Sequence, residues 1–177
     1  LLITVSGPPG SGTTTASRRV ARELAVELVP GGEVFRAMAA ERSQSLAAFG
    51  AFAAAHPEVD VELDSRLAAR ARKGDVVIES RLAGWIARHD GLSAVSVWID
   101  CDPRVRAGRV AAREGITLDR ALEENTARQA VEHRRYQALY GIDIDDVTIY
   151  DLVLDSGELS ADEIAERIVS AARSHSW

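Results

Sequence analysis

The stretch Gly7-Pro8-Pro9-Gly10-Ser11-Gly12-Thr13-Thr14-Thr15 constrains this 177-residue chain more than any other. It follows the apolar run Leu1 to Val5, which suits a buried strand, and precedes Ala16 to Leu28, whose composition and apolar spacing are helical. Strand, glycine-rich turn and helix form the context that a phosphate-binding loop requires. Glycines let the backbone curl until successive N–H groups point at one anion, and the helix N-terminus beyond adds partial positive charge. Against the pattern G-x-x-x-x-G-K-[ST], Gly7, Gly12 and Thr14 fall in register, but Thr13 stands where the lysine belongs. Lys73 is the only lysine, every other basic residue being an arginine. Phosphate charge met here must therefore be neutralised by guanidinium groups and a metal.

Length and composition bound the rest. A chain of 177 residues, 46% apolar and 27% charged, fits one domain with a proper core. Its 27 acidic residues outnumber 21 basic ones for a net charge of −6, which argues against a nucleic-acid partner held by a broad basic surface. Cys101 is the only cysteine, so no intramolecular disulfide can form. No leader with a basic start is expected, and no apolar run reaches membrane-spanning length. A cytoplasmic protein with no membrane partner is the expectation.

Further along, Leu28 to Gly32 reads as a short strand and turn, Glu33 to Arg42 as a helix, Ser45 to Ala55 as an alanine-rich helix, and Pro57 to about Lys73 as another ended by Gly74. Val76 to Ile78 is a buried strand, followed by Glu79-Ser80-Arg81 and a short helix through Ile86. Val95 to Ile99 is a third strand, Pro103 to Arg113 a helix, Thr117 to Tyr140 a long polar helix, Leu152 to Leu154 a last buried strand, and Ser160 to Ala172 a closing helix with a Ser160/Glu163 capping box. Such alternation indicates a parallel sheet covered by helices on both faces, with its ligand site at the carboxyl ends of the strands. That rule brings residues 6–15, Glu79 to Arg81, Asp100 to Asp102 and Asp155 to one edge.

Arg106, Arg109 and Arg113 share one helix face, and Arg128 and Arg135 lie seven apart on the next helix. A guanidinium offers phosphate a planar fork that stays charged at any working pH. A plainer reading pairs such arginines with Glu114, Glu124 or Glu132 on a solvated face. Glu79 ends a strand where a carboxylate can orient Mg²⁺, with Thr14 as hydroxyl ligand. Asp143, Asp145 and Asp146 lack the glycine and closing glutamate of a calcium loop and read as turn residues, and the histidines show no ligand spacing.

Together with the loop, Gly32-Glu33-Val34-Phe35-Arg36, Glu79 to Trp85 (ESRLAGW), Arg113-Glu114-Gly115-Ile116 and Tyr140 to Asp155 (YGIDIDDVTIYDLVLD) resemble the archaeal-type cytidylate kinases. That family also carries Thr in place of the loop lysine. The resemblance implies a P-loop nucleoside monophosphate kinase fold: a five-stranded parallel sheet in one domain over 1–177, with a monophosphate-binding segment at about 31–73 and a lid at about 113–135. It implies a monomer moving phosphate from ATP to CMP or dCMP with Mg²⁺ held at Thr14 and Glu79. Residues Gly7, Pro8, Pro9, Gly10, Ser11, Gly12, Thr13, Thr14 and Thr15 would hold the ATP phosphates. Arg36 and Arg81 would hold the acceptor phosphate, and Asp60, Asp64 and Arg66 would approach its base. Arg109, Arg113, Arg128 and Arg135 would meet the transferring phosphoryl group. Three departures from the family pattern stand out: Pro30-Gly31, Ser80 before Arg81, and Gln129 where an acid is usual. Rival readings are a kinase for AMP, UMP or shikimate, or a nucleotide-binding module without turnover. A guanine-specific switch is disfavoured, because Asn125, the sole asparagine, is followed by Thr126 rather than lysine.

Overall fold

Short β-branched runs that cannot bury both faces alone must stack, and in the computed structural model, which describes residues 1–177, they form one sheet. Its strands are β1 (Leu2–Ser6), β2 (Glu27–Pro30), β3 (Val76–Glu79), β4 (Val95–Asp100) and β5 (Leu152–Asp155), all parallel in the order β2-β3-β1-β4-β5. Alternating side chains divide the core between two faces. Ile3, Val5, Val77, Val97 and Ile99 meet Val20 of α1 (Thr13–Leu24) and Ile164 and Ile168 of α8 (Ala161–Ser174). Leu2, Val76 and Ile78 meet Leu67 and Ala71 of α4 (Glu58–Ala71) and Ala83 and Ala87 of α5 (Ala83–His89). Since β1 lies between β3 and β4, the chain leaves neighbouring strands in opposite directions there, opening the crevice in which ligands of such sheets sit.

Two helical excursions rise from that crevice, each with its own small core. In the first, α2 (Gly31–Glu41), α3 (Leu46–Ala55) and the start of α4 bury Met38, Ala39, Phe49, Ala53 and Val59. In the second, α6 (Pro103–Glu114) and α7 (Leu118–Tyr140) bury only Ala107, Val110 and Ala121 between them. The end of α7 then reaches the main body, where Tyr136 joins Leu82, Trp98, Ile144 and Tyr150. Local chemistry sets the boundaries. Asp102 accepts the Arg104 N–H (2.8 Å) to cap α6 ahead of Pro103, Gly115 ends it at φ 68°, and the expected Ser160/Glu163 capping box opens α8.

Several boundaries differ from the sequence reading. The first helix spans Thr13–Leu24 rather than Ala16 to Leu28, because Ala25 takes a left-handed turn (φ 53°) and frees Glu27–Pro30 to join the sheet edge. Gly31 and Gly32, expected in a turn, open α2. A Cβ on Gly31 would lie 3.0 Å from the Ser80 Cβ, so close packing and not chain reversal explains that glycine. The last strand, expected buried, lies at the sheet edge with Val153 49% exposed.

Glycine's role in α5 is testable. A Cβ on Gly84 would stand 2.4 Å from Cε1 of the Tyr150 ring, which is buried. Gly84→Ala should therefore destabilise the fold by about 1–3 kcal/mol through overpacking. Gly50→Ala, where nothing lies within 4 Å on α3, should stabilise it by up to about 1 kcal/mol. Urea unfolding of the two variants, read side by side, checks both signs.

Candidate active site

Between β1 and α1 the chain makes the turn that the glycines allow. Gly10 and Gly12 take φ values of 81° and 92°, strained for any other residue type. Close approach adds a second requirement: a Cβ on Gly7 would lie 2.4 Å from the Ile99 carbonyl oxygen, and one on Gly10 would lie 2.9 Å from that of Arg106. The loop is thus pressed against β4 and α6. The N–H groups of Gly10, Gly12, Thr13, Thr14 and Thr15 meet no acceptor in the protein, leaving donors and the α1 N-terminus to face an anion.

Glu79, at the end of β3, accepts from the Thr13 hydroxyl at 2.8 Å and the Thr14 hydroxyl at 3.4 Å. The residue in the lysine position thus orients the carboxylate. A hydroxyl and a carboxylate side by side at the end of an anion loop are the hard oxygen donors that Mg²⁺ prefers, so these residues fit that ion.

Three arginines reach the loop from behind. Arg81 donates to the Gly7 carbonyl, Arg106 to that of Pro9 (3.2 Å) and Arg109 to that of Gly10 (3.3 Å). Arg109 also grips Ser156, donating to its hydroxyl (2.9 Å) and its carbonyl (2.6 Å). It lines a cavity of about 460 Å³ with Gly12, Thr15, Ser156, Glu158 and Leu159, on the α1 side of the loop. A second cavity, about 430 Å³, lies between the loop and α7, bordered by Pro8, Arg81, Trp98, Gln129 and Glu132.

From the wall of that second cavity, at Arg81 and Glu132, a series of charged contacts runs along α7. Glu132 of α7, buried, accepts from Nε of Arg81 (2.8 Å) and Nε of Arg128 (2.9 Å). Burial opposes its charge, but the two guanidinium groups outweigh burial and hold its carboxyl below the usual range. One turn on, Arg135 pairs with buried Asp60 of α4 at 3.1 Å, and Tyr140 donates to Asp64 at 2.8 Å. Burial raises the Asp60 carboxyl against the pull of Arg135, and pushes that of Asp64 up to about 6 despite the Tyr140 hydrogen bond. These contacts tie the first excursion to the second.

The Asp64 shift predicts a pH dependence. A carboxyl raised in the folded state binds protons more tightly there than unfolded, so its stabilising effect is full below about pH 4 and is lost as the pH rises through about 6. Asp64→Asn, which can still accept from Tyr140, should flatten that decline. Urea midpoints measured from pH 4 to 8 for both proteins check it, and parallel curves would count against the shift.

The structure brings together Gly7 to Thr15, Glu79, Arg81 and Arg109 at one strand edge, and it joins Arg128 to that edge through Glu132, while Arg135 meets Asp60 of the first excursion. It leaves other expected residues apart. Arg66 is held by both oxygens of Glu41 (2.7 and 2.6 Å) and by Glu62 (2.7 Å), binding α4 to α2. Arg113 points to its exposed neighbour Glu114 (2.9 Å), as the plainer reading of the stripes had it, whereas the Glu132 that Arg128 meets is buried and shared with Arg81 rather than on a solvated face. Arg36, exposed on α2, has no ion-pair partner. Arg109 contacts the loop and Ser156 rather than α7. The sequence offered Arg106 only as one member of a stripe and Glu132 only as a surface partner for arginine; the contacts with Pro9 and Arg81 were not foreseen, and the spacings, three before Arg109 and four after Arg128, were the available signals.

A glycine-rich turn after the central strand of a β2-β3-β1-β4-β5 sheet, with two helical excursions over it, is the architecture of the P-loop kinases. A shikimate kinase structure from Bacteroides thetaiotaomicron shares the fold, with a TM-score of 0.60 at 16% identity over 98% of this chain and 96% of that one. The chain belongs to the cytidylate kinase-like family, whose model matches residues 2–158. It is similar to cytidylate kinases from Pyrococcus furiosus (46% identical over 175 residues, 99% of this chain and 89% of that protein) and Archaeoglobus fulgidus (43% over 170 residues, 96% and 93%).

Proposed function

We propose that this chain transfers the γ-phosphoryl group of ATP to CMP, and to dCMP, giving ADP and the corresponding diphosphate. The observation that carries the reading is the loop itself, with its unpaired N–H groups and the Thr13–Thr14–Glu79 oxygens at its end, in a chain 46% identical to a cytidylate kinase. Gly7 to Thr15 hold the ATP phosphates. Thr14 and Glu79 hold Mg²⁺, which when bound supplies charge neutralisation to the β- and γ-oxygens. Arg109, with Ser156, serves the donor side of the loop. Arg81 and the unpartnered Arg36 take the acceptor phosphate, with Asp60 and Asp64 toward the base, while Arg66 supports α4 from its far side. Arg128 and Arg135, on α7, come to the transferring group, and Arg113 joins them only if its side chain leaves Glu114.

Phosphoryl transfer asks little covalent chemistry of the protein. Positioning in line, neutralising charge and excluding water carry the rate, and no side chain need act as a base of special pKa. The segment at 31–73 and the lid at 113–135 then act as the movable walls of one domain, in a cytoplasmic monomer.

Coupled detection of ADP release with Mg-ATP and each of CMP, dCMP, UMP, AMP and shikimate tests the proposal. CMP should give the highest kcat/KM, and EDTA should abolish turnover. A higher kcat/KM for AMP or shikimate would overturn the acceptor, and no turnover with any of them would leave a binding module.

A further inference from the structure

The loop lacks a lysine, yet of the three arginines that reach it from behind one is fully built into the wall. Arg106 is only 3% exposed, and its guanidinium donates to three neutral oxygens: Cys101 carbonyl (3.0 Å), Pro9 carbonyl (3.2 Å) and Gln129 Oε1 (3.0 Å). No carboxylate oxygen lies within 4.0 Å of it. Asp100 and Asp102, the acids nearby in sequence, turn instead to backbone, Asp100 accepting the Cys101 N–H (2.9 Å) and Asp102 that of Arg104 (2.8 Å). A buried cation normally has a counter-charge, because desolvation is costly. Burial lowers the pKa of this guanidinium against the attraction of Asp100 and Asp102, which act on it from beyond ion-pair distance, and an arginine remains charged at any working pH.

The Pro9 contact shows how the charge can act. Pro9 O and Gly10 N belong to one peptide unit, and the Gly10 N–H has no acceptor in the protein. A cation bound to the carbonyl end of a peptide polarises it and strengthens its N–H as a donor. Gly10 itself packs on the Arg106 backbone, so peptide and cation are held in register.

We infer that Arg106 is the electrostatic substitute for the missing loop lysine, a positioning residue that acts on a donor polyphosphate through the Pro9–Gly10 peptide without touching it. Gln129 is the second half of the device. An acid at that position would neutralise the guanidinium; the neutral amide holds it by a hydrogen bond and leaves its charge to the anion. Since Gln129 sits on α7, the same contact joins the loop to the lid helix. The inference rests on the reading that this loop binds ATP.

Gln129→Glu tests it without deleting a side chain, because it sets a counter-charge where the 3.0 Å contact now lies. Displacement of a fluorescent ATP analogue by ATP, ADP and AMP should show the variant weakened on the order of tenfold for ATP, less for ADP and least for AMP. Its melting temperature should be unchanged or raised. Arg106→Lys should keep more ATP affinity than Arg106→Met, since it keeps the charge but not the three contacts. Wild-type ATP affinity in Gln129→Glu, or equal losses for all three nucleotides, would overturn the inference and leave the kinase reading standing. Failure of the wild-type protein to bind the ATP analogue would sink that reading, and the inference with it.

Discussion

Thr14→Ala should lower kcat by about 10²-fold or more in the presence of saturating ATP and CMP, with little change in stability. Thr14 supplies the only hydroxyl of the loop in register with the metal-binding position of the pattern, and its oxygen lies 3.4 Å from Glu79 on the strand beside it. On the proposed function, losing it would remove a direct ligand from the ion that neutralises the phosphate oxygens, an effect expressed in the transition state. Thr13→Ala should be milder, because no charge and no metal ligand is lost. It does free Glu79 from its 2.8 Å tether, so its signature should be a raised Mg²⁺ requirement. Steady-state rates across a Mg²⁺ titration separate the two. Full turnover by Thr14→Ala would refute the assignment of the loop. Thr13→Lys should be neutral or harmful, since an ammonium there would pair with Glu79 and compete with the metal; a large gain in rate would show that charge is not already supplied by arginine.

Arg81→Ala should be the most damaging of the arginine replacements, and on more than one axis. As an acceptor ligand alone it would chiefly raise the KM for CMP. In the structure it also donates to the Gly7 carbonyl and to buried Glu132. Its removal loosens the loop and leaves that carboxylate with Arg128 alone, whose side chain is 62% exposed. A cost of about 3 kcal/mol in stability is expected from breaking such a pair, together with a fall in kcat on the order of 10²-fold and a raised KM. Arg128→Ala should act mainly on kcat and scarcely on stability, because its partner keeps the better-buried Arg81. Lysine should rescue Arg81 only in part, as a point charge cannot serve both acceptors. Unfolding curves and kinetics on the same preparations distinguish these patterns, and equal small effects from both variants would make the two arginines surface residues.

The sheet was readable because its apolar runs are short, β-branched and bounded by glycine or proline, and the loop because its glycines have backbone reasons that no other residue can meet. The boundaries that shifted, at Ala25 and Gly31, depend on a left-handed alanine and on contact with Ser80, which lie outside local pattern. The site divided the same way. Residues contributed by backbone geometry, Gly7 to Thr15 with Glu79, were legible from spacing. Residues whose meaning lies in a partner far along the chain were not: Arg106 meets Pro9, Glu132 meets Arg81, and Arg66 turns away to Glu41, and the spacing of a charged residue on its helix does not show which partner it meets.

Replacing the loop lysine by threonine has a consequence for reagents. Lys73, the only lysine, is exposed and immediately precedes the turn into β3, at the end of the sheet opposite the loop. Aldehydes and active esters that silence enzymes by capturing an amine at the nucleotide site have no target there. Phenylglyoxal and related dicarbonyls, which modify guanidinium groups, have several. ATP should shield the protein from the second kind of label while making no difference to the first.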